Sequence, residues 1–176
     1  MTGQTLHTPV LETERLTLRA PGAADMDAML GFLKSDFAVF YGGPMSDSDA
    51  WNKFASYAGQ WLLRGYGFFA VTLKSTGETV GMAGPHHPAH FPEPEMSWLL
   101  TDPRHEGKGY ATEACRAVLS HLFQDLGWTS VVSYIDTANA ASRALALRLG
   151  ARLDADAQSP LPGCDAYRHH PQEGAA

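Results

Sequence analysis

The chain has 176 residues, 44% of them hydrophobic and 18% charged, and a formal net charge of −6; that length suits one well-buried core, so a single domain over residues 1–170 is expected, with 171–176 a disordered tail. The acidic balance argues against a nucleic-acid partner, whose counterion release needs a lysine and arginine surface, and no apolar run approaches the roughly 18 residues that cross a bilayer. Residues 1–9 lack the basic start and apolar centre of a signal peptide, and two cysteines, Cys115 and Cys164, make neither a disulfide framework nor a zinc site, so a reducing cytoplasm is expected.

Along the chain, Leu16, Leu18 and Ala20 alternate with polar residues as in a half-buried strand, and Pro21-Gly22 ends it. Apolar residues at 26, 29, 30 and 33 predict a helix over Asp25 to Leu33. Trp51, Phe54, Ala55, Ala58, Trp61 and Leu62 predict another over residues 51–63, with Ser46 to Ser48 as caps and Tyr41-Gly42-Gly43-Pro44 as the loop before it. Gly67 to Lys74 and Thr79 to Ala83 read as a hairpin. Gly84 to Pro94 carries four prolines in eleven residues and predicts a stiff exposed connection. Glu95 to Leu100 resumes as a strand. Ala111, Ala114, Cys115, Val118, Leu119, Leu122, Phe123 and Leu126 recur at helical spacing before the stop at Gly127. A buried strand at Val131 to Ile135, a helix from Ala140 to Leu149, and closing strands at Ala151 to Leu153 and Tyr167 to His169 complete an α+β order.

The stretch that organises this order is Arg104-His105-Glu106-Gly107-Lys108-Gly109-Tyr110-Ala111, between a strand and a helix. Two glycines flanking a lysine permit a tight turn with outward N–H groups, at a helix start whose dipole end is positive, and together these make an anion cradle. It fits neither a P-loop, which needs four residues between its glycines, nor the dinucleotide fingerprint, which needs a third glycine where Thr112 stands. Arg104, Lys108, Arg143 and Arg148 lie near the two helix starts, where a phosphate-bearing ligand would use them; the alternative is solvated helix surface, which is the reading for Arg148.

Arg104-x-x-Gly107-x-Gly109 resembles the pyrophosphate-binding motif of the GNAT acyltransferase superfamily. Three further stretches are similar to its branch of ribosomal-protein N-terminal acetyltransferases, the RimJ/RimL type: Arg15 to Arg19, Gly107 to Ala114, and Asn139-Ala140-Ala141-Ser142 through Leu149-Gly150-Ala151. The resemblance spans residues 10 to 170 and implies the GNAT fold, a mostly antiparallel mixed sheet of about seven strands flanked by about four helices. It also implies acetyl-CoA as co-substrate, with no metal, and an amine acceptor: a protein N-terminus or a small amine, including an antibiotic. Transfer would be direct, in a ternary complex of a monomer or homodimer. A catalytically silent acyl-CoA-binding protein is the rival.

The resemblance assigns the pyrophosphate to the backbone from His105 to Ala111, with charge from Arg104 and Lys108 and with Glu106, Gly107, Gly109 and Tyr110 in the same loop. It assigns the pantetheine arm to backbone groups of Trp98, Leu99 and Leu100, in a strand that bulges and splays from its neighbour, and to Asn139, with Ser142 near the thiol. As plain residues Asn139 and Ser142 also read as a helix cap and its partner. Where many members carry a tyrosine acid this chain has Leu145, Ala146 and Leu147, so Ser142 or a water protonates the thiolate. Glu95 is the expected base, with Glu93 second. His86, His87 and His90 lack ligand spacing and are expected on the acceptor side, where Trp51, Tyr57, Trp61, Phe68 and Phe69 offer either pocket walls or core.

Overall fold

A computed structural model describes residues 8–171, so all but one residue of the expected tail lies outside the described residues. Eight strands form one sheet among the described residues, in the order β1-β2-β3-β4-β5-β6-β8-β7. They are β1 (Leu11–Glu12), β2 (Leu16–Arg19), β3 (Phe69–Leu73), β4 (Thr79–His86), β5 (Glu95–Leu100), β6 (Val131–Asp136), β7 (Arg152–Leu153) and β8 (Cys164–His169). The helices are α1 (Met26–Leu33), α2 (Asp47–Arg64), α3 (Tyr110–Ser120) and α4 (Ala140–Arg148), and a single π turn extends α3 through Asp125. The α+β architecture is the expected one, with one strand more.

Each helix buries a stripe at its own period. In α2 that stripe is Ala50, Phe54, Tyr57 and Trp61, and Ser46 caps it by accepting from the Asp49 N–H at 3.1 Å. Trp51 and Leu62, expected inward, are 52% and 66% exposed because the buried stripe runs one residue out of phase with them. Helices α1 and α2 cover one face of the sheet, where Met29, Phe32, Phe54 and Tyr57 pack on Phe68, Met82 and Leu99. The α3 residues Ala114, Cys115 and Val118 and the α4 residues Leu145 and Ala146 cover the other, against Met96, Trp98 and Val131.

Strand β4 corrects the expectation of an exposed connection from Gly84. It continues as a strand to His86, with Pro85 opposite Met96 and His86 opposite Glu95. The Met96 carbonyl accepts from Ser133 on β6, so it points away from β4, and its partner Pro85 therefore also turns its backbone away from β5. There β3 has already stopped pairing, at Phe69 opposite Ala83, and the Pro85 carbonyl accepts from Gln60 Nε2 instead. The missing proline N–H interrupts no ladder bond.

A bulge earlier in β4 sets which face these residues occupy. Val71 pairs with Gly81 and Thr72 with Thr79, which leaves Val80 as an extra residue. Val80 packs in the core under α3 while Met82 packs under α2, although two positions apart on a regular strand share a face. His86, four residues beyond Met82, then falls on the α2 face beside its cross-strand partner Glu95.

Candidate active site

The cradle is built by local hydrogen bonds. Asp102 accepts from the Arg104 N–H at 2.9 Å, the His105 N–H donates to the Asp102 carbonyl and the Glu106 N–H to the Pro103 carbonyl, which closes a short 3-10 turn. Gly107 and Gly109 then take φ of +71° and +82°, the left-handed region that glycine enters freely. Among the described residues nothing accepts from the N–H groups of Gly107, Lys108, Gly109, Tyr110, Ala111 and Thr112. Six adjacent free donors at the start of α3 fit an anion such as a pyrophosphate. A Cβ on Gly107 would stand in open space, so the turn itself, not crowding, asks for glycine there.

The donor run is shorter than expected, because the His105 and Glu106 amides close the turn. The side chains around it are also placed differently. Arg104 binds Glu78 at 2.6 Å and Asp102 at 3.2 Å. His105 is buried, with Nε2 at 3.4 Å from Glu78 and neither ring nitrogen hydrogen-bonded. Arg148 reaches Thr112 at 3.3 Å, while Arg143 bonds the Thr137 carbonyl. Lys108 has no acidic partner among the described residues, and its carbonyl accepts from Arg15 at 2.9 Å. Arg15 also lies 4.8 Å over the Tyr110 ring and binds Glu113, a role that strand periodicity near residue 15 gives no sign of.

Strand β5 leads from the cradle into a cleft. Its only pairing with β6 is Glu95 opposite Val132, after which the two strands part. Opposite β4 the register of β5 is regular from Glu95 to Leu100, so the splay stands without the bulge expected in β5. The Trp98 carbonyl accepts from the hydroxyl of Tyr41, and burial holds that phenol well above its usual range. Leu99 turns its side chain into the α1–α2 core, and Leu100 faces Gly81. At the closed end, Ser133 Oγ donates to the Met96 carbonyl at 2.5 Å and lies 3.0 Å from His169 Nε2. Desolvation pushes the His169 pKa down to about 4, so the imidazole is neutral, with Nε2–H the donor to a serine whose own proton is already committed.

A cavity of about 500 Å³ opens at the fork, its lining including Ser97, Trp98, Ser133, Asn139 and Ser142 together with Tyr57, Phe68, His86, His90, Phe91 and Glu95. Asn139 caps α4 by accepting from the Ser142 N–H at 3.0 Å, and both residues border the cavity. Glu95 is 7% exposed and within 3.1 Å of His86 Nδ1. Glu93, the second candidate base, is held by Arg168 through two bonds of 2.8 Å and is outside the lining. His87 bonds Tyr66 and is outside the lining, as are Trp61 and Phe69, which join the core under α3, and the exposed Trp51. Sequence reasoning missed Tyr41, Tyr134 and Lys53 of the lining. Burial raises the Tyr134 phenol to about 12 and lowers the Lys53 ammonium, which donates to the Tyr41 carbonyl at 2.8 Å. No group of side chains that could hold a metal ion occurs among the described residues.

An anion cradle joined by a splayed strand pair to a cavity with one buried carboxylate defines an acyltransferase that uses a phosphate-bearing thioester, acetyl-CoA, as co-substrate. The chain belongs to the GNAT acetyltransferases, which move acetyl groups from acetyl-CoA to amines: the family described as "Acetyltransferase (GNAT) domain" matches residues 15–152. It is 37% identical to an acetyltransferase from Agrobacterium tumefaciens of known crystal structure, with a TM-score of 0.88 over 97% of this chain and 99% of that one. It is 27% identical to the uncharacterized N-acetyltransferase YoaA of Bacillus subtilis, over 81% of this chain and 82% of the relative. The ribosomal-protein-S5-alanine acetyltransferase of Vibrio fischeri shares the fold, at 14% identity and a TM-score of 0.73 over 94% of this chain and 98% of that one. No helix among the described residues is long and apolar enough to cross a membrane.

Proposed function

We propose that one domain, residues 1–170, acetylates a primary amine by direct transfer within a ternary complex, as a cytoplasmic monomer or homodimer in keeping with two free thiols. The observation that carries this reading is the placement of the fork between β5 and β6 beside Glu95, so that the acceptor and the thioester meet at one point. Gly107 to Ala111 would hold the pyrophosphate by backbone N–H groups, with Lys108 adding charge. From Glu95 to Leu100 the strand runs about 17 Å. That length lets Trp98 to Leu100 and Asn139 line the pantetheine arm between cradle and cavity. Acetyl-CoA supplies the activated acetyl group. Glu95 gives the acceptor pocket its buried negative charge, which draws an ammonium in, and its carboxylate offers the ammonium's proton an acceptor, directly or through a neighbour. Ser142, or a water it holds, would protonate the departing thiolate. Neither thiol forms an acyl-enzyme: Cys115 is buried, and burial raises its pKa and that of Cys164.

Two acceptor classes stay in play, a protein N-terminus, as the likeness to the RimJ/RimL branch suggests, and a small amine. Thiol release from acetyl-CoA is the test, with tetrapeptides beginning Ser, Ala or Met, 2-phenylethylamine, spermidine and kanamycin as acceptors. Release above hydrolysis with at least one of them supports the enzyme. Tight acetyl-CoA binding with no release across the panel supports the silent binding protein.

A further inference from the structure

Inside the cavity two ionisable side chains touch. His86 and Glu95 close the β4–β5 ladder as a cross-strand pair, with Nδ1 and Oε1 3.1 Å apart. The carboxylate lies deeper, its side chain 9% exposed against 20% for the imidazole. The imidazole is fixed by three rings, Tyr57 edge-on at 5.3 Å, Phe68 at 5.6 Å and Phe91 at 5.7 Å. A carboxylate only accepts, so Nδ1 carries the hydrogen and Nε2 keeps a lone pair. Among the described residues Nε2 has no hydrogen-bond partner, and it is not sealed from the cavity that His86 lines.

We infer that His86 Nε2 is the atom that takes the proton from the acceptor's ammonium, and that Glu95 acts through it as a positioning residue. This rests on the proposed acceptor cavity. The ammonium N–H bond breaks and an Nε2–H bond forms, giving imidazolium with Nδ1–H still held by Glu95. The neutral amine forms the C–N bond to the thioester carbonyl carbon and the C–S bond breaks. The nitrogen then loses a second proton while the thiolate gains one, and the imidazolium returns its proton to solvent. The charges and titratable groups facing the pair are Lys53 and Tyr57 from α2, Tyr41 from the turn before it, His87 and His90 from the following loop, Tyr134 and Asp136 from β6, and Cys164 from β8. Glu95 is the carboxylate in contact with the imidazole, so an imidazolium formed at His86 gains its stabilisation there.

The test is a pH–rate profile from about pH 6 to 9, spanning the ordinary histidine range, with acetyl-CoA and the best acceptor of the panel, for the parent, His86→Ala, His86→Gln and Glu95→Gln. Acetyl-CoA affinity by calorimetry identifies variants that have kept the fold. His86→Ala and His86→Gln should lower kcat by about a hundred-fold or more and lose the acid limb of the profile. Added imidazole should restore turnover to His86→Ala only. Glu95→Gln should be milder and should move the acid limb to lower pH, since loss of a neighbouring negative charge disfavours imidazolium. Parental turnover in either His86 variant, or a deeper loss in Glu95→Gln that keeps the acid limb in place, would overturn the inference and make Glu95 the direct acceptor. A parent that releases no thiol with any amine overturns the acceptor site itself, and that result is read in the unmodified protein.

Discussion

Arg15 and Glu113 tie the edge of the sheet to the first turn of α3: the guanidinium and the carboxylate lie 2.7 Å apart, and the Arg15 backbone N–H donates to the same carboxylate at 2.9 Å. Thr13 adds a bond of 2.6 Å from its hydroxyl. Burial pushes the Glu113 carboxyl up, but the hydrogen bonds from Thr13 and Arg15 outweigh it and hold the group below its ordinary range. Because Arg15 also grips the Lys108 carbonyl, the cradle is braced from outside the binding surface.

Replacing Arg15 by Ala should therefore weaken acetyl-CoA binding several-fold while costing about 1 kcal/mol of stability or less, the usual scale for a partly exposed pair. Calorimetric titration against thermal melting separates the two effects. Equal affinity in variant and parent would show that the loop holds its shape unaided.

Gly109→Val tests the cradle directly. Its φ of +82° is hostile to a β-branched residue, and a Cβ there would stand 3.3 Å from Arg15 Nη2. Acetyl-CoA should then no longer raise the melting temperature, although it does so for the parent by selective binding to the folded state. A shift of parental size in the variant would remove the loop from the binding site.

Asp25 is fully buried and accepts from Arg19 at 2.7 and 2.9 Å, from Thr79 at 2.6 Å and from the Gly22 N–H at 2.8 Å. Asp25→Asn leaves a guanidinium without its counter-charge and should cost about 3–5 kcal/mol, the scale for breaking a buried pair. Urea unfolding measures it, and a loss under about 1 kcal/mol would place the charge pair among weak surface bridges.

His169 predicts the acid side of stability. Its folded pKa, pushed by desolvation down to about 4, lies below the ordinary value near 6.5, so between these pH values the unfolded chain binds more protons. The contribution is fully present above about pH 6.5 and is lost as pH falls toward 4, by about 3 kcal/mol at full extent. His169→Gln should flatten that part of the stability curve in denaturant titrations. An unchanged slope would mean that the imidazole is protonated where it lies.

Much of the site's frame was legible in the chain. The 3.6-residue spacing from Ala111 to Leu122 and the glycines at 107 and 109 mark the cradle and its helix, and the strand expected at Glu95 to Leu100 has those bounds. The chemistry around it was less so. Pro85 reads as a strand breaker, and only the position of β3's end makes it harmless. Tyr41 meets Trp98 across 57 positions and Arg15 meets Glu113 across 98, separations at which periodicity carries no signal. The pairing of His86 with Glu95 depends on a bulge at Val80, and no local motif announces a bulge whose reason is the register of its neighbour.

That extra residue works as a parity bit. Every side chain of β4 after Val80 has its destination, helix α2 or helix α3, decided by whether Val80 is absorbed as an unpaired residue or takes its own place in the ladder. The same sequence with its ladder to β3 running regularly through Val80 would set Val80 opposite Val71 and, with histidine and proline in the same order, present the imidazole to the opposite side of the sheet from Glu95. In this protein the two members of the pair can be inherited separately, but their meeting is inherited as a register.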